Sequence, residues 1–226
     1  MRNHLKTIFA VTITSLMLFG CKADKIETSI GSEDLRKAIA GNTVSIEFKA
    51  EFSMMGDTED EETKSQIKLI KNVVEKYISV EEFDITKGDF GFNITVEGDI
   101  PLVYSTGSKI VTSSESPWIM KVSDNIEGGI LSNFSHKLTF STGPQFSAFS
   151  AELEGINFML SPDQRQPMKF KIKNTGNSIL HIFTGGVEVG GESQAVYESR
   201  VEKRVSLTMK GGVYDSIEQV IYFSFE

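Results

Sequence analysis

The chain has 226 residues, 39% of them hydrophobic and 24% charged, with 31 acidic against 23 basic side chains and a formal net charge of −8. That length builds one large domain or two small ones around a core that folds without cross-links, and one cysteine leaves no intramolecular disulfide to form. A surface of this sign repels nucleic acid and anionic headgroups, which argues against DNA binding and against a basic lipid-binding face.

In chain order, the first element reads as a signal rather than as part of a domain. Arg2 and Lys6 supply positive charge, Ile8 to Phe19 an apolar stretch, and Gly20 a small residue at its end. The stretch carries Thr12, Thr14 and Ser15 and falls short of the ~20 apolar residues that a membrane-spanning helix needs. Cys21-Lys22-Ala23 is a poor small-x-small cleavage site, whereas Leu18-Phe19-Gly20-Cys21 resembles the lipobox of bacterial lipoproteins: aliphatic, tolerant, small, then cysteine. Phe19 departs from the small or aliphatic residue usual at its place. The resemblance implies cleavage between Gly20 and Cys21, a diacylglyceryl group on the Cys21 sulfur and acylation, such as palmitate, of the new amino group. At about 0.8 kcal/mol per buried methylene, two or three such chains hold a protein on a membrane without release. Asp after the cysteine retains many Gram-negative lipoproteins in the inner membrane. Lys22 therefore implies sorting to the outer membrane, with the mature domain in the periplasm or, if flipped, at the cell surface; in a Gram-positive source the anchor would hold it to the one membrane present. Loss of residues 1–20 leaves 206 residues (226 less 20) and moves the charge from −8 to −10, because Arg2 and Lys6 depart and no acid does.

After Cys21 structure begins almost at once. Lys25 to Ile30 reads as a short strand, and Ser32-Glu33-Asp34-Leu35 as an N-cap followed by acids in a first helical turn. From Thr43 to Met54, Val44, Ile46, Phe48, Ala50, Phe52 and Met54 alternate with polar residues, the pattern of a half-buried strand. Residues 62–78 change period: Ile67, Ile70, Val74, Tyr77 and Ile78 line one side of a helix. Phe83 and Ile85 start another strand, Lys87-Gly88-Asp89 turns the chain, and Phe90, Phe92, Ile94 and Val96 alternate on the return. The helix is expected to pack across the apolar face these strands share.

Beyond about Ser113 the texture becomes mainly antiparallel sheet. Trp118, Met120 and Val122 form one strand and residues 136–141 another; 145–153 fit helix or strand equally. Ile156, Phe158 and Leu160 alternate, Ser161-Pro162-Asp163 turns, Met168, Phe170 and Ile172 return, and Asn174-Thr175-Gly176-Asn177 turns again. Gly185-Gly186, Gly190-Gly191 and Gly211-Gly212 punctuate the rest, which closes on an apolar strand from Val220 to Phe225. The expectation is an α+β, β-rich fold: an N-terminal strand–helix–strand layer on antiparallel strands (21–112), then a sandwich-like β half (113–226), either separate or continuous with it. An outer-membrane barrel shares the alternation, but the amphipathic helix and the terminal Glu226 speak against one.

Chemistry-bearing motifs are sparse. Outside the signal the histidines are His136 and His181, neither in a zinc-binding H-E-x-x-H or H-x-x-x-H spacing. No G-x-S-x-G elbow and no phosphate-cradling glycine loop occurs. The run Asp57-Thr58-Glu59-Asp60-Glu61-Glu62 lacks the ligand spacing of a calcium loop and reads as a helix start. The sequons at Asn93 and Asn133 carry no meaning in a bacterial lipoprotein. The 16 phenylalanines fall mostly on inward faces of strands, where a core accounts for them. The mature chain also loosely resembles uncharacterised lipoproteins of enterobacteria and their prophages, through Cys21 to Thr28 and the Ile172 to Asn177 "IKNTGN" turn. The reading is a non-enzymatic binding module, lipid-anchored through Cys21, with a protein partner in the envelope and no metal, cofactor or nucleic acid. Its alternatives are a hydrophobic-ligand carrier or sensor and a hydrolase with paired carboxylates.

Overall fold

The alternation that begins at Val44 folds as a strand with Ile46, Phe48, Ala50, Phe52 and Met54 buried on one face. It is one of twelve strands in the computed structural model of the protein, which describes residues 23–88, 91–106, 109–110, 116–157, 160, 167–210 and 219–226. Along the chain run β1 (Ala23–Gly31), α1 (Ser32–Ile39), β2 (Val44–Met55), α2 (Glu61–Tyr77), β3 (Ser79–Lys87), β4 (Gly91–Thr106), β5 (Lys109–Ile110) and β6 (Trp118–Asp124). They are followed by β7 (His136–Thr142), α3 (Phe146–Ile156), β8 (Met168–Lys173), β9 (Leu180–Val189), β10 (Glu192–Val201), β11 (Arg204–Met209) and β12 (Val220–Phe225).

The expected sandwich is instead a closed barrel. Its staves follow the order β9-β11-β8-β1-β2-β4-β6-β7-β12, and the six-residue β12 closes the ring by pairing with β7 on one side and β9 on the other. Strands from before and after residue 112 stand side by side in the wall, and the joins are parallel: β1 with β8 and β4 with β6. β9 meets β12 through Leu180 to Phe183 and β11 through Glu188 and Val189. Between these two contacts lies Gly185-Gly186, which bends a continuous strand rather than ending one. Gly186 takes φ +60, a conformation that favours glycine, and the buried set shifts parity across it, from Leu180, Ile182 and Thr184 to Val187. β10 lies outside the ring on β9; β3 and β5 lie outside it on β4.

The barrel is filled by the side chains that alternate inward. Trp118 lies at the centre, with Phe48 at 5.3 Å, Phe149 of α3 at 5.1 Å, and Phe146 and Phe140 further out at 6.4 and 6.5 Å between ring centroids. Tyr77 of α2 meets Phe149 edge-on at 5.6 Å, and the two helices pack on each other at the barrel end where β6 begins and β7 finishes. At the other end α1 packs against β1, β2, β4 and β6 and buries Leu35 and Ala38. On β1, β2 and β8 the outward positions are largely charged: Lys25 and Glu27 on β1, Glu47, Lys49 and Glu51 on β2, and Lys169, Lys171 and Lys173 on β8. A membrane-spanning barrel shows lipid an apolar band. These three strands have the opposite polarity.

Most predicted elements fall where expected, and α2 starts at an Asp60 cap whose carboxylate accepts from the Thr63 amide at 3.3 Å. Three local expectations need correction. Ser32 is not the cap of α1: Gly31 holds that place, its amide donating to the Asp34 carboxylate at 2.9 Å, and Ser32 is the first helical residue. Ile156 ends α3, because Phe146, Phe149 and Leu153 recur with helical period; Leu160 is buried in a helical turn, with Phe158 outside the described residues. Ile85 is 38% exposed on β3. The turns at Ser161-Pro162-Asp163 and Gly211-Gly212, together with Asp89 and Phe90, also lie outside the described residues.

Two substitutions of opposite sign test this packing. Thr28 is buried on an inward position, and its Oγ1 has no hydrogen-bond partner among the described residues. A buried hydroxyl that goes unpaired costs more than it returns, so Thr28→Val should stabilise the fold by about 1 kcal/mol in urea unfolding. Trp118→Ala should cost about 3–5 kcal/mol by emptying the centre of the barrel. A destabilised Thr28→Val would show that the hydroxyl is satisfied in solution.

Candidate functional site

The α1 end of the barrel gathers side chains from across the wall. β4 and β6 leave the barrel there, β7 enters, and β12 finishes, which brings Tyr104, Asp124, His136, Phe223 and Phe225 to one rim. The Tyr104 hydroxyl donates to Asp124 Oδ1 at 2.6 Å, and His136 Nε2 stands 3.9 Å from the same oxygen. On its other side His136 Nδ1 is 2.7 Å from Ser135 Oγ, and its ring stacks on Phe223 with 5.3 Å between centroids. Burial pushes the His136 imidazole below its ordinary value of 6.5, the Asp124 carboxylate opposing that shift. The hydrogen bond to Asp124, aided by burial and by the carboxylate's charge, pushes the Tyr104 phenol up to about 12. Arg36 of α1 lays its guanidinium 3.9 Å from the centre of the Phe225 ring.

His181 reaches the same end on the outside of the wall. Its Nε2 is 2.9 Å from Glu198 and its Nδ1 3.6 Å from Glu226, which Arg200 also engages at 3.1 Å. Phe134 covers the His181 ring at 4.9 Å, held there because Asn125 Nδ2 donates to the carbonyls of Leu131 and Phe134 across a 3-10 turn, Gly129–Asn133. The two histidines singled out in the sequence thus share a barrel end but not a site: one faces in, the other out.

The Asn174-Thr175-Gly176 turn latches α1 over this end. Ser32 Oγ donates to Asn174 Oδ1 at 2.9 Å and accepts from the amides of Thr175 and Gly176 at 3.0 and 3.1 Å. Asn174 Nδ2 in turn donates to the carbonyls of Ser178 and Val201. Sequence reading missed this latch, since its halves stand 142 residues apart and a serine ahead of two acids looks like a cap.

On the outer wall, Glu27, Glu47, Lys49, Glu81, Glu97 and Lys171 line a cleft of about 410 Å³. Glu27 is the hub: Lys171 bonds its carboxylate, with Lys169 at 3.3 Å and Lys25 at 3.6 Å. Burial alone would raise the Glu27 carboxyl, but the hydrogen bonds from Lys171 and Lys169 hold it below its ordinary 4.5. Lys49 is paired with Glu97 in the same cleft, which raises the Lys49 amine. The acidic run beyond β2 is absorbed locally: Asp57 accepts from the Glu59 amide, Asp60 caps α2, and Glu59 and Glu61 pair with Lys64. Among the described residues no group of three or more His, Cys, Asp or Glu side chains is placed to hold a metal ion.

Leu18, Phe19, Gly20, Cys21 and Lys22 lie outside the described residues, and β1 begins at Ala23. No helix of the described residues is long and apolar enough to cross a membrane. No protein-family model, curated protein or solved structure matches the chain.

One imidazole shift and one carboxylate shift set two pH windows. A folded chain that binds the His136 proton less readily than the unfolded chain loses stability as pH falls from 6.5 through the depressed value. The wild-type unfolding midpoint should therefore drop over that window more steeply than that of His136→Phe, which keeps a ring on Phe223 but does not titrate. Glu27 acts lower: its contribution is present above 4.5 and lost as pH falls through the depressed folded value. Glu27→Gln should cost about 1 kcal/mol at neutral pH, with the gap to wild type closing in acid. Equal slopes for wild type and His136→Phe would mean that the imidazole is not held neutral by burial.

Proposed function

We propose that the chain is a lipid-anchored protein of the bacterial cell envelope, held through Cys21, whose barrel binds another envelope protein with its α1 end and catalyses no reaction. The observation that carries this reading is the start of β1 at Ala23, two positions beyond the lipobox cysteine. An anchor there leaves no tether, so the barrel stands against the bilayer with the β1 start beneath it. β1 pairs Ala23 with Phe52 near the α2 end and runs nine residues to Gly31, where α1 begins. At ~3.3 Å per residue that is roughly 30 Å, which makes the α1 end the face most accessible to a partner. Lys22 favours the outer membrane, and the charged outer wall favours a barrel standing in the periplasm rather than in lipid.

The α1 end also offers what a protein contact uses: an arginine on an aromatic ring, a latched helix and a rim of mixed polar groups.

Cys21→Ala should abolish palmitate incorporation and release the protein from the membrane fraction, and unchanged labelling would sink the anchor. With Cys21 intact, a photo-cross-linking residue at Ser178 should capture a discrete envelope protein, whereas one at Ser65 on α2 should not. Equal capture from both positions would overturn the choice of face.

A further inference from the structure

Around Glu27 the charges of the outer wall are matched in sign across the strands. Lys25 stands opposite Glu51, Glu27 opposite Lys49 on one side and Lys169 on the other, and Lys49 opposite Glu97. At the α1 end of β8 the match fails, because Lys173 stands opposite Arg204 of β11. The Asn174 amide donates to the Lys203 carbonyl at 2.7 Å, which makes that pair hydrogen-bonded. The next pair, Lys173 with Arg204, is then of the non-hydrogen-bonded kind, in which side chains stand closest. Like charges in that position repel each other. Both cations are exposed, the neighbouring Ile172 takes the inward place, and on the other side of Lys173 the β1 strand offers Gly31, which has no side chain to intervene.

Lys171, Lys173, Arg204 and Ser206 line a cleft of about 440 Å³, and Glu47 is the acid that lines it with them. Lys171 is committed to Glu27. Lys173 reaches Glu47 only at 3.7 Å, and that carboxylate is 77% exposed. The Arg204 side chain has no ion-pair or hydrogen-bond partner among the described residues. Two cations thus face one loosely held carboxylate, in a chain whose formal charge is −8.

We propose that the cleft between Lys173 and Arg204 binds the phosphate monoester group of a small soluble molecule. The charges fit, since with Glu47 turned into solvent two positive charges meet a group that carries close to two negative ones at neutral pH. The donors fit as well: the fork of Arg204 takes two phosphate oxygens, the Lys173 ammonium approaches from the facing strand, and the Ser206 hydroxyl lies on the same face two residues from Arg204. A carboxylate ligand would only repeat what Glu47 supplies. An anionic bilayer is a poorer match, because it would bring its whole surface against a net acidic chain, with Glu47 and Asp99 opposite each other nearby. The proposal needs neither the lipid anchor nor an envelope partner.

Titration of the full chain with glycerol 3-phosphate, followed by NMR through the amide signals of Lys173 and Ser206, tests it against sodium chloride at equal ionic strength. Saturable shifts are expected with the phosphate monoester and not with chloride. Arg204→Gln and Lys173→Gln should each weaken binding by about tenfold. Glu47→Gln should tighten it by about threefold, because the competing carboxylate is gone. Signals away from the cleft that match the wild type show each variant to be folded. Chloride shifts as large as those of the phosphate, an Arg204→Gln variant that binds as before, or a Glu47→Gln variant that binds no tighter overturns the proposal. Flotation of the Cys21→Ala chain with phosphatidylglycerol and phosphatidylcholine vesicles separates the lipid source. Arg204→Gln should leave the difference between the two vesicles unchanged; a preference for phosphatidylglycerol that Arg204→Gln removes would put the phosphate on a lipid and overturn the soluble ligand.

Discussion

A closed nine-stranded barrel has to fill its own interior, and the rest of this structure follows from that requirement. Eight strands leave a space that ordinary side chains just fill, and diameter grows with strand number. Here the extra volume is taken by rings: Trp118 at the centre, Phe48, Phe170 and Phe223 from the wall, and Phe149 inserted from α3. The phenylalanine-rich composition is therefore the packing material of a wide core. It also explains the helices. A barrel open at both ends would expose these rings to water, so α1 covers one end and α2 with α3 the other, each contributing its apolar stripe to the same core.

Closing the ends by helices rather than by loops moves the polar chemistry to the rims and the outer wall. At the α1 rim, Tyr104, Asp124 and His136 sit where inward-facing strand positions run out of core and meet solvent. On the wall, alternation forces every second residue of β1, β2 and β8 outward, where lysines of β8 pair with Glu27 of β1 and Glu47 of β2. The latch of Ser32 on Asn174 links the two levels, because it fixes the helix that covers the rim to the strand that carries the lysine row.

Much of this was legible locally and little of it globally. β2, β4 and α2 could be read from period alone, since a strand buried on one face must alternate and a helix buried on one side must repeat near 3.6. Closure left no such trace. β1 pairs with β8 some 140 residues later, and a strand buried on one face alternates in the same way whichever direction its partner runs. Gly185-Gly186 has the composition of a turn, and only tertiary context reveals that it bends one strand between two partners. At the α1 rim, the histidines were visible as residue types, but their separation to opposite sides of the wall depends on strand register. The carboxylate hub at Glu27 was invisible for the same reason: its lysine partners on β8 lie far along the chain.

The polarity of the barrel bears on how such a protein would reside in a membrane. Alternating strands closed into a ring are what an outer-membrane barrel needs, and this chain has them. Their apolar faces point inward, however, and the outer face of β1, β2 and β8 carries ion pairs that would each have to be desolvated in lipid. A ring of this polarity cannot use the charged part of its wall for insertion, so any membrane attachment has to come from outside the fold. On the proposed reading that is the role of Cys21: two or three acyl chains supply the membrane affinity that the barrel's surface opposes, and they do so without altering a single inward-facing position. Anchor and barrel are then separable in energy, and the outer faces of β1, β2 and β8 stay free to carry the ion pairs around Glu27.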